Sequence, residues 1–175
     1  MNRSDSRGGR ELADTLLDLV LVDGDCAGVV GLAKNCGKTT TLNALIRAAA
    51  RRNIALGITS GGRDGELYDA ITGLPKPPIN VPRGALIALA DFTIERTSCR
   101  LEVVRRLGIR TTAGEIVIAR ALEPGQVEVI GCNRAKDLIQ AIAQLRECGA
   151  ELTLVDGAAG RTFLASPDVV QTFVL

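Results

Sequence analysis

The chain has 175 residues, 46% of them hydrophobic and 23% charged, with a formal net charge of +1, which is the length and composition of one globular domain with a real core. Near-neutrality excludes a global basic field that would recruit nucleic acid, four aromatic residues (Tyr68, Phe92, Phe163 and Phe173) are too few for a base-stacking platform, and the absence of histidine excludes His-based triads, His general bases and His metal sites. Five widely spaced cysteines without a C-x-x-C pair read as reduced thiols of a cytoplasmic protein, and neither a signal-peptide h-region nor a run of transmembrane length is present, so no membrane is expected.

Residues 1–10, MNRSDSRGGR, are polar and glycine-containing without apolar periodicity, and are expected as a mobile arm. The domain proper is expected over 11–175. Leu12, Leu16, Leu19 and Val20 recur at helical spacing over 11–22, which predicts an amphipathic helix that packs on the domain edge or meets a partner. Asp23-Gly24-Asp25 turns the chain into a first apolar strand over 27–32.

The next stretch carries the chemistry. Val29 to Leu45 reads VVGLAKNCGKTTTLNAL and joins that strand to a helix over 38–52 through a loop ending in Gly37-Lys38-Thr39-Thr40. A phosphate-binding loop needs this pattern. Consecutive backbone N–H groups, here from Lys34, Asn35, Cys36, Gly37, Lys38, Thr39 and Thr40, surround phosphate oxygens, the helix offers its positive end, the lysine neutralises charge, and the threonine hydroxyl reaches Mg²⁺. The spacing is unusual, since Leu32 stands where G-x-x-x-x-G-K-[ST] requires glycine, and Gly31 leaves five residues before Gly37. Cys36, beside Lys38 and a helix N-terminus, has the setting of a thiol with a lowered pKa, although the position also suits any small side chain.

A second strand over 54–60 completes a strand–loop–helix–strand unit, expected parallel and right-handed. The glycine-rich acidic loop behind it, Gly61-Gly62-Arg63-Asp64-Gly65-Glu66, falls at the carboxyl end of that strand, where open α/β sheets bind ligands, so Asp64 and Glu66 are the second pair of candidates. Four of the six prolines lie within 74–83 and predict an extended connection. A third apolar run covers 85–90. Over 91–107 the spacing of Ile94, Leu101, Val104 and Leu107 predicts a helix with Gly108 as its stop. Strands over 115–122 and 126–132, split by Glu123-Pro124-Gly125, predict a β-hairpin, or two consecutive sheet strands with a tight connection, and with it an antiparallel element. Asn133 is expected to cap a helix over 134–148 that ends at Gly149. Asn133-Arg134-Ala135-Lys136-Asp137 has the wrong spacing and place for a guanine-reading N-K-x-D motif.

An apolar strand over 152–155 then ends in Asp156-Gly157-Ala158-Ala159-Gly160. An acid at such a strand tip can hold Mg²⁺ opposite Thr39, and the small residues let the backbone approach phosphates. The apolar tail over 169–175 requires a pairing partner within the sheet or on another chain.

The G-x5-G-K-T loop and the Asp156-Gly157-Ala158-Ala159-Gly160 turn together resemble the dethiobiotin synthetase and cobyrinate synthase group of P-loop proteins, whose broader relatives include the partition ATPases and metallochaperone NTPases. The group carries E-G-A-G-G where this chain has Asp156 in the acid position and Ala159 in place of a glycine. Lys34 sits one place later than the second lysine of those relatives, so no intersubunit role is carried over to it. The resemblance implies a three-layer α/β P-loop fold with a mostly parallel sheet, ATP (or GTP) with Mg²⁺ as cofactors, and a loop containing Asp64 and Glu66 that responds to the γ-phosphate. Relatives of this type continue beyond the acid with elements that supply the base pocket, whereas RTFLASPDVVQTFVL follows here. A longer chain, a second chain or a loosely held base would each account for that.

The expected function is Mg-dependent nucleotide binding, ATP more than GTP, with slow hydrolysis that switches a partner protein, a homodimer or a cofactor enzyme. Lys38 would stabilise phosphate charge, Thr39 and Asp156 would hold the metal, and Asp64 or Glu66 would orient water or metal. Two other readings remain open: a ligase or kinase acting on a small carboxylated substrate, which would want a basic second pocket, and a non-catalytic assembly module that nucleotide merely stabilises.

Overall fold

The computed structural model describes residues 3–31, 36–62, 78–157 and 169–174, with the side chains of 3–7 outside that description. The elements in chain order are α1 (Arg3–Asp23), β1 (Cys26–Val30), α2 (Lys38–Arg51), β2 (Leu56–Gly61), β3 (Ile79–Val81), β4 (Leu86–Ala90), a 3₁₀ turn (Asp91–Arg96), β5 (Leu101–Thr111), β6 (Gly114–Ala121), β7 (Gly125–Val127), α3 (Ala135–Glu147), β8 (Leu152–Gly157) and β9 (Thr172–Val174).

A seven-stranded sheet in the order β5-β6-β4-β2-β8-β1-β9 forms the middle layer. From β4 to β9 every pairing is parallel, and β6 and β5 are added antiparallel at one edge. Parallel strands are buried on both faces and so need unbroken apolar runs. Each residue of β4, LIALA, and each of β2, LGITSG, is accordingly buried. One core joins Ala13 and Leu17 of α1 and Leu42 and Leu45 of α2 to Ile58, Ile87 and Leu154 of the sheet. The opposite face packs Leu138, Ala141 and Leu145 of α3 against Ala88, Ile118 and Val155. The chain is thus α/β with helices on both sheet faces, plus a small antiparallel pair, β3 with β7.

The first helix begins at Arg3 and includes most of the expected polar arm. It is tied to the C-terminal end of α2, where Arg51 pairs with Asp14 at 2.8 Å and Arg52 with Asp18. The Arg52 hydrogen bond holds the Asp18 carboxyl below its ordinary value. The apolar tail is resolved within the molecule: Ala27, Gly28 and Val29 pair in register with Thr172, Phe173 and Val174.

Several expectations are corrected. Residues 91–107 are not one helix: a 3₁₀ turn ends at Arg96, and β5 runs through Leu101–Thr111. The Thr97 hydroxyl contacts the carbonyls of Ile94 and Cys99 at 3.1 and 2.7 Å, fixing the break between them. β5 is a mostly exposed edge strand, so tertiary pairing with β6, and not its own periodicity, sets its state. Gly108, read as a helix stop, does adopt the left-handed conformation (φ 68°), but it serves the irregularity of register between Arg106 and Arg110.

The antiparallel hairpin is likewise β5–β6, turning between Thr111 and Gly114, and not a turn at Pro124-Gly125. β7 leaves β6 to pair with β3, because Gly125 packs directly on Cys99, where a Cβ would lie 2.7 Å from the cysteine Cβ. Past β7 the chain is irregular and crosses the strand tips: Ala90 N–H donates to Ile130 O at 2.8 Å, and Cys132 N–H donates to Ser60 O at 3.1 Å. Arg134, not Asn133, is the N-cap residue of α3, and no side chain caps that helix.

Candidate functional site

The carboxyl ends of β1, β8 and β2 lie side by side. Val29 and Ser60 both pair with Asp156, and Val30 and Gly61 both pair with Gly157. β8 therefore projects its acid between two parallel neighbours at the edge of the sheet where ligands bind. From β1 the chain passes to α2, whose first residue is Lys38. Gly37 precedes it with φ 90° and ψ 4°, a left-handed conformation that glycine adopts without the Cβ penalty, and its carbonyl accepts the first helical bond from Thr41 N at 2.9 Å. Among the described residues no side chain caps this helix, and no acid stands in its first turn. Its leading N–H groups thus point out of the helix with the positive end of the dipole behind them.

A lysine at that end works against the dipole. The compensation is Asp156: the Lys38 ammonium lies 2.9 Å from Asp156 Oδ1, with both side chains about one-fifth exposed (23% and 20%). Oδ1 itself is buried, with the Lys38 ammonium beside it. Thr39 is half-buried and Thr40 exposed, as are Cys36 and Gly37. The structure therefore brings together Lys38 and Asp156 and places Gly37, Lys38, Thr39 and Thr40 at the bare helix start. Lys34, Asn35, Asp64 and Glu66 lie outside the described residues.

These residues fit a magnesium–phosphate group. Mg²⁺ takes few protein ligands, typically one or two oxygens beside water and substrate phosphates, and Asp156 offers a buried carboxylate oxygen at the tip of β8 beside the Lys38 ammonium. Among the described residues there is no cluster of three or more His, Cys, Asp or Glu that could hold a metal.

Three supporting residues escape a reading of the sequence for motifs. Asn43, on the buried face of α2, accepts Asn80 N–H at 2.8 Å through Oδ1 and donates to Pro78 O at 3.3 Å, fastening the start of β3 to the helix. A polar residue between Leu42 and Leu45 was the available signal. Ser60, 7% exposed, stands directly across from Asp156. Gly131 lies so near the end of β2 that a Cβ would collide with the Ser60 backbone.

A separate cleft of about 890 Å³ opens between the 3₁₀ turn and the β5–β6 hairpin, and none of its lining residues belongs to α2 or β8. Arg106, one of its cations, is engaged by Asp91 at 3.2 Å and Glu115 at 3.0 Å. The other, Arg96, stacks on the Phe92 ring with 4.2 Å to the centroid.

The thiols divide by burial. Desolvation, with Asp25 adding to it, pushes Cys26 up to about 12, and desolvation, with Asp137 adding to it, does the same to Cys132. Each folded-state pKa thus exceeds its ordinary value of 9.0, so the stability due to keeping these thiols neutral is complete below pH 9 and is lost as pH rises toward 12. Unfolding free energies from urea titrations should fall across that window, by roughly 1.4 kcal/mol per thiol per pH unit, and a Cys26→Ala/Cys132→Ala double variant should flatten the dependence. An unchanged slope in the double variant would refute the assignment. Cys36, being exposed, should be alkylated first.

Compared with protein-family models and with curated proteins, the chain gives no match.

Proposed function

We propose that the chain is a Mg-dependent nucleotide-binding protein that takes ATP in preference to GTP and hydrolyses it slowly, using the cycle to act on a partner protein or cofactor enzyme. The observation that supports this most is the ion pair of Lys38 with Asp156, a first-turn lysine and a strand-tip acid facing each other beside an uncapped helix start. On this reading the α2 N–H groups and those of the preceding loop, Lys34 through Gly37, receive phosphate oxygens. Lys38 swings its ammonium from Asp156 onto the β- and γ-phosphates, exchanging one anion for another. That movement frees Asp156, which with Thr39 would hold Mg²⁺. When bound, the metal neutralises phosphate charge and polarises the γ-phosphoryl group. Asp64 or Glu66 is assigned to orient the attacking water or the metal.

The ligase or kinase reading wants a basic pocket for a carboxylated substrate. The cleft beside β5 and β6, whose arginines already face Asp91, Glu115 and the Phe92 ring, has no lining residue from α2 or β8 and so is not the pocket near the phosphate loop that this reading wants.

Thermal unfolding in the presence of ATP, GTP, ADP or GDP, each with and without Mg²⁺, tests the proposal, because a ligand of the folded state alone raises stability by mass action. Mg-ATP should give the largest rise, and Asp156→Asn should remove the magnesium-dependent part while leaving a smaller metal-free shift. No shift with any nucleotide would overturn the reading. A shift without any phosphate release, whichever candidate partner is added, would leave the assembly-module reading in its place.

A further inference from the structure

Ser60 is the last side chain of β2, before Gly61 and Gly62, and the pairing that places Asp156 also places it. Residues paired across parallel strands carry their side chains on one face, with the strands about 4.8 Å apart. Three residues earlier such neighbours touch, since a Cβ on Gly57 would lie 2.9 Å from the hydroxyl oxygen of its partner Thr153. Ser60 and Asp156 follow Ile58 and Leu154 at a period of two, so hydroxyl and carboxylate stand together on the sheet face covered by α2, where Lys38 begins.

The serine is 7% exposed, and a buried hydroxyl costs free energy unless it is hydrogen-bonded. Its surroundings leave that hydroxyl open toward the strand tip. Cys132 N–H occupies the Ser60 carbonyl at 3.1 Å, and Gly131 packs on the Ser60 backbone. Gly62 lies ahead of the side chain, and a Cβ there would stand 3.0 Å from the Ser60 hydroxyl oxygen, closer than side chains ordinarily pack. The φ of Gly62 is outside the left-handed region, so the backbone does not require glycine at this position, and what the missing side chain provides is space over the hydroxyl. The neighbouring hydroxyl, that of Thr59, belongs to the opposite face and donates to Ala88 O at 3.0 Å.

We infer that Ser60 is a positioning residue of the magnesium site, donating its hydroxyl hydrogen to the Asp156 carboxylate once Lys38 has moved to phosphate. The inference rests on the Mg-nucleotide reading above. In the structure Asp156 Oδ1 is buried beside the Lys38 ammonium. When that cation leaves, the buried carboxylate oxygen needs another donor. An O–H from β2 supplies one without neutralising the acid, so the full charge remains for the metal and the carboxylate is held in one orientation. Metal-ligating carboxylates are commonly fixed by such outer hydrogen bonds. Ser60 therefore acts in the metal-bound state, whereas phosphate contact through the start of α2 does not involve it.

The gain in ATP affinity on replacing EDTA by excess Mg²⁺, measured by calorimetry on the full chain, provides the test. Ser60→Ala should cut that gain about tenfold or more, with metal-free ATP affinity and circular dichroism unchanged. Gly62→Ala, which keeps the hydroxyl but crowds it, should also cut the gain. Added to Ser60→Ala, it should have no further effect, because both substitutions act through one atom, whereas a general loosening of the β2 tip would make the two losses additive. Ser60→Ala with the wild-type gain, equal losses of affinity with and without Mg²⁺, or additive losses in the double variant would each overturn the inference and leave the nucleotide reading standing. Wild-type protein that binds no ATP, or gains nothing from Mg²⁺, would overturn that reading, and this inference with it.

Discussion

Lys38→Ala is expected to weaken Mg-ATP binding about 100-fold or more, the equivalent of roughly 3 kcal/mol, as measured by calorimetry. The size follows from where the ammonium stands. It is the first residue of a helix without a side-chain cap, within a salt-bridge distance of 2.9 Å from a strand-tip carboxylate, and four-fifths of each side chain is removed from solvent. Charge interactions in such a setting are screened far less than on an open surface. The folded state should tolerate the change: a cation at the positive end of a helix is unfavourable, so its removal offsets the loss of the partner for Asp156. Urea midpoints close to wild type would show this, and would assign the lost affinity to the site. Lys38→Arg should recover part of the binding, since it retains the charge but not the compact ammonium. An Ala variant with wild-type affinity would remove Lys38, and with it the whole phosphate assignment.

The elements that were legible in the sequence are those whose burial is dictated by local pattern. β1, β2, β4 and β8 are short apolar runs, and sheet strands enclosed by helices on both faces must be. α2 and α3 show their inner faces at helical spacing, and their ends fall within a residue or two of expectation. The antiparallel edge was not legible for a physical reason. Leu101, Val104 and Leu107 suit a helical stripe as well as an edge strand, and an edge strand with one solvated side carries no continuous apolar run. What decides between them is β6, a partner remote from the pattern. Gly108 and Gly125 show the same thing from the other side. At Gly108 the left-handed backbone serves a strand irregularity and not a helix stop, and at Gly125 the glycine is required by close packing on Cys99 and not by a turn. Within the candidate site, Lys38 and Asp156 stand out in the sequence by residue type, whereas their contact depends on β1 pairing in register with β8. Asn43 and Gly131 act on the site by holding neighbouring chain segments in place, and nothing about such a role leaves a motif.

Gly131→Ala is the second substitution expected to have a large effect, and it tests the connection between packing and site. The added methyl would meet the backbone of Ser60, carbonyl first, and backbone in a parallel strand buried on both faces cannot turn aside as a flexible side chain can. The same carbonyl accepts Cys132 N–H at 3.1 Å, so separating the segments also breaks that bond. Overpacking of this kind costs about 3 kcal/mol, at the upper end of the usual range. The urea midpoint should fall accordingly. Because Ser60 faces Asp156 across β2 and β8, displacement of the β2 tip should also weaken Mg-nucleotide binding under conditions where the variant is still folded. Gly149→Ala provides the contrast. That glycine has φ 104° with open space around it, so its cost is conformational alone, about 1 kcal/mol, and it lies after α3, away from the Lys38–Asp156 pair. If both variants lose stability but only Gly131→Ala loses nucleotide, the chain crossing the strand tips is what holds the acid of β8 in place. Equal stability losses with binding retained in both would mean that β2 yields without moving Asp156, and that the acid is positioned by β1 and β8 alone.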